Sequence, residues 1–363
     1  MRSCRFLASI YKMSNNITHN NGALLRDSNL ELYRIICMLM IVAHHYVTSS
    51  GFIGESGPII NAPHHTNSLF LMVFGAWGKT GINCFIMITG YYMCKSNITV
   101  RKLLKLLLQV EFYKVLFYLI FLRTGYESLS LSRLIDVIMP FWGFQNEFVS
   151  CFIVFYLLIP FLAILVNHMS KRQHELLILL LIGGYTLLGS IPSFKISFNY
   201  ITWFNIIFVI SSYIRLYPSR FLENKKLWGW ATILSLILAS VSILLLHWFL
   251  SAGMFFVSDC NKIFAVIIAW TSFLYFKSLK IKRSRIINTI SASTFGVLLI
   301  HANSSAMRLW LWRDFLNVTS WFSLPLWQLI LYSLGGRISG IRNLCINRST
   351  TNQIYRKAFF SVV

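Results

Sequence analysis

The chain has 363 residues, of which 56% are hydrophobic and only 12% charged, and its mean hydropathy is +0.64. That balance excludes a soluble globular surface, intrinsic disorder, a collagen-like fibre and a small disulfide scaffold, and marks an integral membrane protein. The 33 Lys and Arg against 11 Asp and Glu give a formal charge of +22, but most of these cations flank apolar runs, which assigns the charge to membrane topology rather than to nucleic acid.

Residues 1–29 read as a polar amino-terminal tail. The apolar stretch in MRSCRFLASIYK is too short and interrupted for a signal peptide, and Met13 offers a second start, so the first dozen residues read as a start-site extension. A membrane helix needs about 20 mostly apolar residues. With that ruler the segments 35–52, 69–94, 103–122, 148–167, 175–191, 200–217, 227–250, 262–279, 287–304 and 321–336 are predicted spans. The expected fold is all-α: a polytopic integral membrane bundle of about ten transmembrane helices, forming one domain over 30–336. Alternate connections and the two tails hold 25 of the 33 Lys and Arg, which places both termini in the cytoplasm. The basic tail 337–363, GGRISGIRNLCINRSTTNQIYRKAFFSVV with its two preceding glycines, turns abruptly polar and reads as an altered or truncated ending. The seven cysteines are scattered without CxxC spacing, so neither a dithiol centre nor a metal site is expected.

Ionisable groups within spans usually face a bundle interior or a water-filled cavity. Here they are His44, His45, Lys79, Glu111, Lys114 and His301, with Arg34 at the cytoplasmic mouth of the first helix. Eleven residues separate Arg34 from His45, about 16 Å of rise and about three helical turns, so the two share a face; His44 points about 80° away. His301 lies about 22 Å along the ninth span, which puts both histidines at similar depth and makes His45 and His301 catalytic candidates as base, nucleophile or proton carrier. Glu111 and Lys114, at i and i+3, read first as a structural ion pair. Thr89, Lys79 and Asn83 are open to two readings, oxyanion donors or helix-packing contacts. Gly75, Gly78 and Gly81 share a helical side and favour close packing. In the outer loop 124–148, Tyr126, Phe141, Trp142 and Phe144 suit interfacial anchoring or sugar stacking.

The residues just named lie in motifs that resemble the membrane-bound acyltransferase-3 family over about 30–334. LELYRIICMLMIVAHHY matches the family's pattern of Arg, ten residues, His in Arg34 and His45. GKTGINCFIMITGYY is similar to its Gly-rich second helix, with Thr89 where Ser is commoner, and Lys102 and Lys105 stand where the family carries a basic pair of arginines. FIVFYLLIPFL, SSYIRLY with Arg215, and ASTFGVLLIH ending at His301 follow in family order. The resemblance implies an O-acetyltransferase of the bacterial inner membrane that moves an acetyl or other short acyl group from cytosolic acetyl-CoA to a hydroxyl of a lipid-linked or cell-surface glycan; no metal is expected, since no His or carboxylate spacing such as HExxH accompanies the histidines. Arg34, Arg101, Lys102 and Lys105 are the expected cations for the phosphates of CoA, topology being the other reading for Lys102 and Lys105. His45 is expected as general base, an acyl-histidine being the alternative, and His301 as acceptor-orienting or proton-passing group. The competing function is a proton-coupled transporter or glycolipid flippase using His45, His301 and the Glu111/Lys114 pair. Acceptor sugar and oligomeric state are not legible.

Overall fold

The computed structural model describes residues 27–96, 98–139, 148–194, 196–250 and 253–335. The expectations for the tails before Asp27 and after Gly335, and for Phe141, Trp142 and Phe144, lie outside the described residues. Among those described there is no strand. The helices, in chain order, are α1 Ser28–Thr48, α2 Pro58–Asn61, α3 Thr66–Phe74, α4 Gly78–Met93, α5 Val100–Thr124, α6 Leu131–Ile138, α7 Phe148–His168, α8 Lys171–Leu181, α9 Tyr200–Leu216, α10 Lys225–Leu250, α11 Ile263–Lys277, α12 Arg285–His301, α13 Ser305–Arg308 and α14 Leu326–Ser333.

Their boundaries follow local chemistry. Ser170 caps α8 in a reciprocal box with Gln173, and Thr99 accepts from the Lys102 amide to start α5. Gly125 ends α5 at φ +81°, a left-handed conformation that costs glycine little. Beyond α8 the helix widens into a π turn at Ile182–Leu187 and tightens at Leu188–Ser190.

Each of the ten apolar segments falls on helical structure, but the segments are not equal. Four stretches are long and apolar enough to cross a bilayer: Ser28–Thr48, Thr66–Met93, Phe148–His168 and Lys225–Leu250. A fifth exists if Arg285–His301 and Ser305–Phe315, bent by 96° at their junction, form one broken span. Helices α9 and α11 are apolar but shorter, and α5 carries Arg101, Lys102, Lys105, Glu111, Lys114 and Arg123. The segment 321–336 is the tail of a 3-10 turn, Val318–Ser323, followed by the eight-residue α14. At 1.5 Å per residue α14 is about 12 Å long, less than half a hydrocarbon core.

Helix α4 is the centre of the bundle and packs against α1, α9 and α11; α1 also packs on α12, and α9 on α7. The contact of α1 with the α3–α4 strip depends on the glycine side identified in sequence. A Cβ on Gly75 would lie 2.6 Å from Val47 Cβ, one on Gly81 2.8 Å from the Cys37 carbonyl oxygen, and one on Gly78 would overlap the His44 ring. The outward faces remain apolar: Trp230, Leu234, Ile237 and Phe249 of α10 and Phe161 of α7 are exposed. Exposed apolar area of that kind calls for lipid or a partner rather than water.

Candidate functional site

His45, near the carboxyl end of α1, and His301, the last residue of α12, are 256 positions apart in sequence and joined by one hydrogen bond. His45 Nδ1 is 3.0 Å from His301 Nε2, and the ring centroids are 5.1 Å apart. His301 Nδ1 is 2.6 Å from the Val297 carbonyl oxygen one turn back. A carbonyl only accepts, so His301 carries its proton on Nδ1 and, as a neutral imidazole, presents a lone pair at Nε2. That lone pair accepts the Nδ1–H of His45. The proton of neutral His45 is thereby fixed on Nδ1, leaving Nε2 as the bare, basic nitrogen. Each tautomer follows from the hydrogen-bond pattern, and the chain Val297 carbonyl, His301, His45 orients a base as a buried third group does in a catalytic triad.

His44 does not join this chain. Its ring turns to the helix break between α3 and α4, where Nδ1 donates to the Gly75 carbonyl at 2.6 Å, the geometry of a hydrogen-bonded core histidine. Two cations lie within electrostatic reach of His45, Lys79 and Arg308. Lys79 donates to the Tyr200 hydroxyl at 2.7 Å. Arg308 ends α13, beyond the 96° bend that follows His301. Neither Tyr200 nor Arg308 stood out in the sequence: a Tyr at a helix start reads as an interfacial anchor, and a lone Arg beyond a span reads as loop charge.

Arg34 is on the same unbroken helix as His45 but about 16 Å away along its axis, so the structure does not bring it to the histidine pair. Its Nη1 donates to Glu31 at 3.0 and 3.2 Å. Glu31 is buried and accepts in turn from Ser291 Oγ of α12. Glu31 was missed in the sequence, although its i, i+3 spacing from Arg34 is the signal of an ion pair; Ser291, 260 residues away, gives no such signal. Arg101, Lys102 and Lys105 are exposed in the opening turns of α5. Cations there oppose the helix dipole, so helix stability does not explain them.

The other polar candidates are engaged in packing. Asn83 is buried and saturated: it donates to the Cys260 and Ala265 carbonyls at 2.7 and 3.2 Å and accepts from the Trp203 indole at 2.8 Å. Thr89 donates to the Phe85 carbonyl of its own helix. Both oxyanion readings therefore give way to packing. Glu111 and Lys114 are 4.0 Å apart, while Lys114 donates to the Asp136 and Met139 carbonyls at 2.9 and 3.0 Å and so closes the carboxyl end of α6. Tyr126 donates to Asp314 at 2.8 Å and ties the loop after α5 to the segment after α13. A cleft of about 480 Å³ lined by His65, Asn67, Phe322 and Leu324 includes neither histidine of the pair.

Comparison with curated proteins and with solved structures gives no match. The sequence model of the family described as "Acyltransferase domain" matches residues 27–338, a stretch that takes in Arg34, His45 and His301 and every described helix. With its all-helical fold, its lipid-suited outer faces and that match, the chain is a membrane protein and belongs to the acyltransferase-3 family.

Proposed function

We propose that this membrane acyltransferase moves an acetyl or other short acyl group from cytosolic acyl-CoA to a hydroxyl of a lipid-linked or cell-surface glycan, in a bacterial cytoplasmic membrane, with His45 as general base. The observation that carries the reading is the bare Nε2 of His45, set by the hydrogen bonds to His301 and Val297. In the reaction Nε2 takes the proton of the acceptor hydroxyl, and the oxygen attacks the thioester carbonyl. The tetrahedral intermediate collapses with cleavage of the carbon–sulfur bond, and the CoA thiolate recovers the proton from Nε2. His45 is cationic only between those two transfers, when its Nδ1–H bond to His301 strengthens as a charge-assisted bond. Arg308 and Lys79 supply positive potential for the oxyanion. An acyl-histidine route would use the same lone pair as nucleophile.

The donor enters from the side of Arg34, Arg101, Lys102 and Lys105. Arg34 spends Nη1 on Glu31 and retains the rest of its five-donor guanidinium for phosphate oxygens. The ten-span count with both termini cytoplasmic is part of this proposal, since it puts these cations on the acyl-CoA side and the histidines toward the outer half of the membrane.

The test supplies solubilised protein or inverted membranes with radiolabelled acetyl-CoA and host glycan extract, comparing parent with His45→Ala. Alkali-labile label on glycan, present with the parent and absent with the variant, is the expected result. Equal labelling with His45→Ala removes the base assignment; no labelling by folded parent, together with gradient-driven uptake of a glycolipid, replaces the transferase by the transporter reading.

A further inference from the structure

The carboxyl ends of α4, α9 and α11 converge at the pole of the bundle opposite the histidine pair, and two cations meet there without adequate counter-charge. Arg215, in the last turn of α9, stacks its guanidinium over the Tyr91 ring, 4.8 Å from the centroid, and its Nη1 donates to the neutral Tyr91 hydroxyl at 3.0 Å. Its Nε is buried and has no hydrogen-bond partner. Lys277, the last residue of α11, also has a buried Nζ that makes no hydrogen bond; its nearest carboxylate, Glu223, is 3.9 Å away and largely exposed. The Tyr91 ring beneath Arg215 also packs on Phe273, one turn before Lys277, with 5.5 Å between ring centroids, which brings both cations to the same end of the bundle.

Buried donors of this kind are nearly always satisfied in native proteins, and two like charges side by side destabilise a fold. The ordinary reason for a cation at a helix end is to cap the last carbonyls. At α11 that work is already taken: the Asn29 amide reaches the Phe276, Lys277 and Leu279 carbonyls at 3.0, 3.0 and 3.1 Å. What remains is a planar guanidinium and an ammonium, each with an unused buried donor, on helices held together by α4. That set complements a tetrahedral dianion, which can take a hydrogen bond from Nε and another from Nζ while cancelling the repulsion between them.

We propose that Arg215 and Lys277 form a phosphate-binding subsite, distinct from the cations on α1 and α5. A phosphate ester can arrive there on the nucleotide end of a soluble acyl donor, which rests on the function proposed above, or as the headgroup of an anionic lipid, which does not. Occupancy ties the ends of α9 and α11 together.

The experiment uses the full chain in uncharged detergent, with 3′,5′-adenosine diphosphate, adenosine, and nanodiscs of phosphatidylglycerol or phosphatidylcholine as probes. Calorimetry reads the soluble probes, and native mass spectrometry reads retained lipid. The expected result is that Arg215→Gln or Lys277→Gln weakens the phosphate-bearing probe at least tenfold, that Arg215→Lys restores part of the loss, and that His45→Ala leaves binding unchanged. Adenosine diphosphate binding assigns the site to the donor; selective phosphatidylglycerol retention assigns it to lipid. A measurement needing no variant is a rise in the parent's thermal midpoint with the phosphate probes but not with adenosine or phosphatidylcholine. An unchanged midpoint with every probe overturns the subsite, as does parent affinity in folded Arg215→Gln and Lys277→Gln. Loss of glycan labelling with phosphate binding intact overturns the proposed function alone.

Discussion

Helix α1 carries an ionisable side chain toward each end, and the bundle treats the two in opposite ways. Toward its carboxyl end, His45 meets a neutral relay in which each hydrogen bond fixes the next, and the relay stops at an unused lone pair. Toward its amino end, Arg34 meets the buried carboxylate of Glu31, itself held by Ser291, so its charge is matched and its position set. Both arrangements join α1 to α12. A relay that terminates in an open acceptor has room for one more proton, whereas one that terminates in a matched charge holds a cation in place, and the difference follows from what each last partner can still accept or donate.

The sharpest way to break this contrast is at the open nitrogen. His45→Ala is expected to lower acyl transfer by about 10²- to 10⁴-fold, the usual contribution of a general base, with an unchanged elution profile; radiolabel transfer to glycan measures it. His301→Ala removes the acceptor that sets the His45 tautomer and is expected to cost about 10²-fold in kcat with little change in KM, whereas a His301 acting only in acceptor binding would raise KM; initial-rate kinetics separate the two. At the closed end the effect moves from rate to stability. Glu31→Ala leaves Arg34 half-buried without its partner and is expected to destabilise by up to about 3 kcal/mol, read as a fall in thermal midpoint. Gly78→Ala tests whether the glycine side keeps both ends in register: its Cβ overlaps the His44 ring, and overpacking of that kind costs about 1–3 kcal/mol while pushing α1 and His45 outward. The smallest effect is expected for Asp314→Asn. It weakens a partly exposed link to Tyr126 and Arg313 by no more than about 1 kcal/mol, visible as faster proteolysis of the loop after α5 rather than as lost transfer.

The helices themselves were readable because hydropathy and capping act over a few residues. Segments 35–52, 69–94 and 148–167 correspond to α1, α3 with α4, and α7 for that reason. The final segment, 321–336, is the least regular of the ten, because composition does not report where a chain turns: Pro325 separates a 3-10 turn from the short α14. Of the site, His45 and His301 stood out as costly polar groups in apolar surroundings, and Glu31, though missed, was within reach as an i, i+3 partner of Arg34. Asn83 was open to an oxyanion reading beside the packing one until its three hydrogen bonds to Cys260, Ala265 and Trp203 were visible. The 96° bend after His301 and the approach of Arg308 to His45 had no local signal, whereas Lys79 stood out as a charge within a span.

By itself, the sequence determined what depends on neighbours along the chain: a helical, lipid-suited protein, the placement of ionisable residues at opposite ends of α1, and the small-residue side that admits a close helix. Only the tertiary structure decided which polar atoms finish paired and which stay open. The His45–His301 bond, the Ser291–Glu31 bond and the Arg215–Lys277 juxtaposition each bring together helices far apart in sequence. A hydrogen bond depends on tenths of an ångström in position and on direction, and that precision is set by how α1, α4, α9, α11 and α12 pack, not by any pattern in one of them.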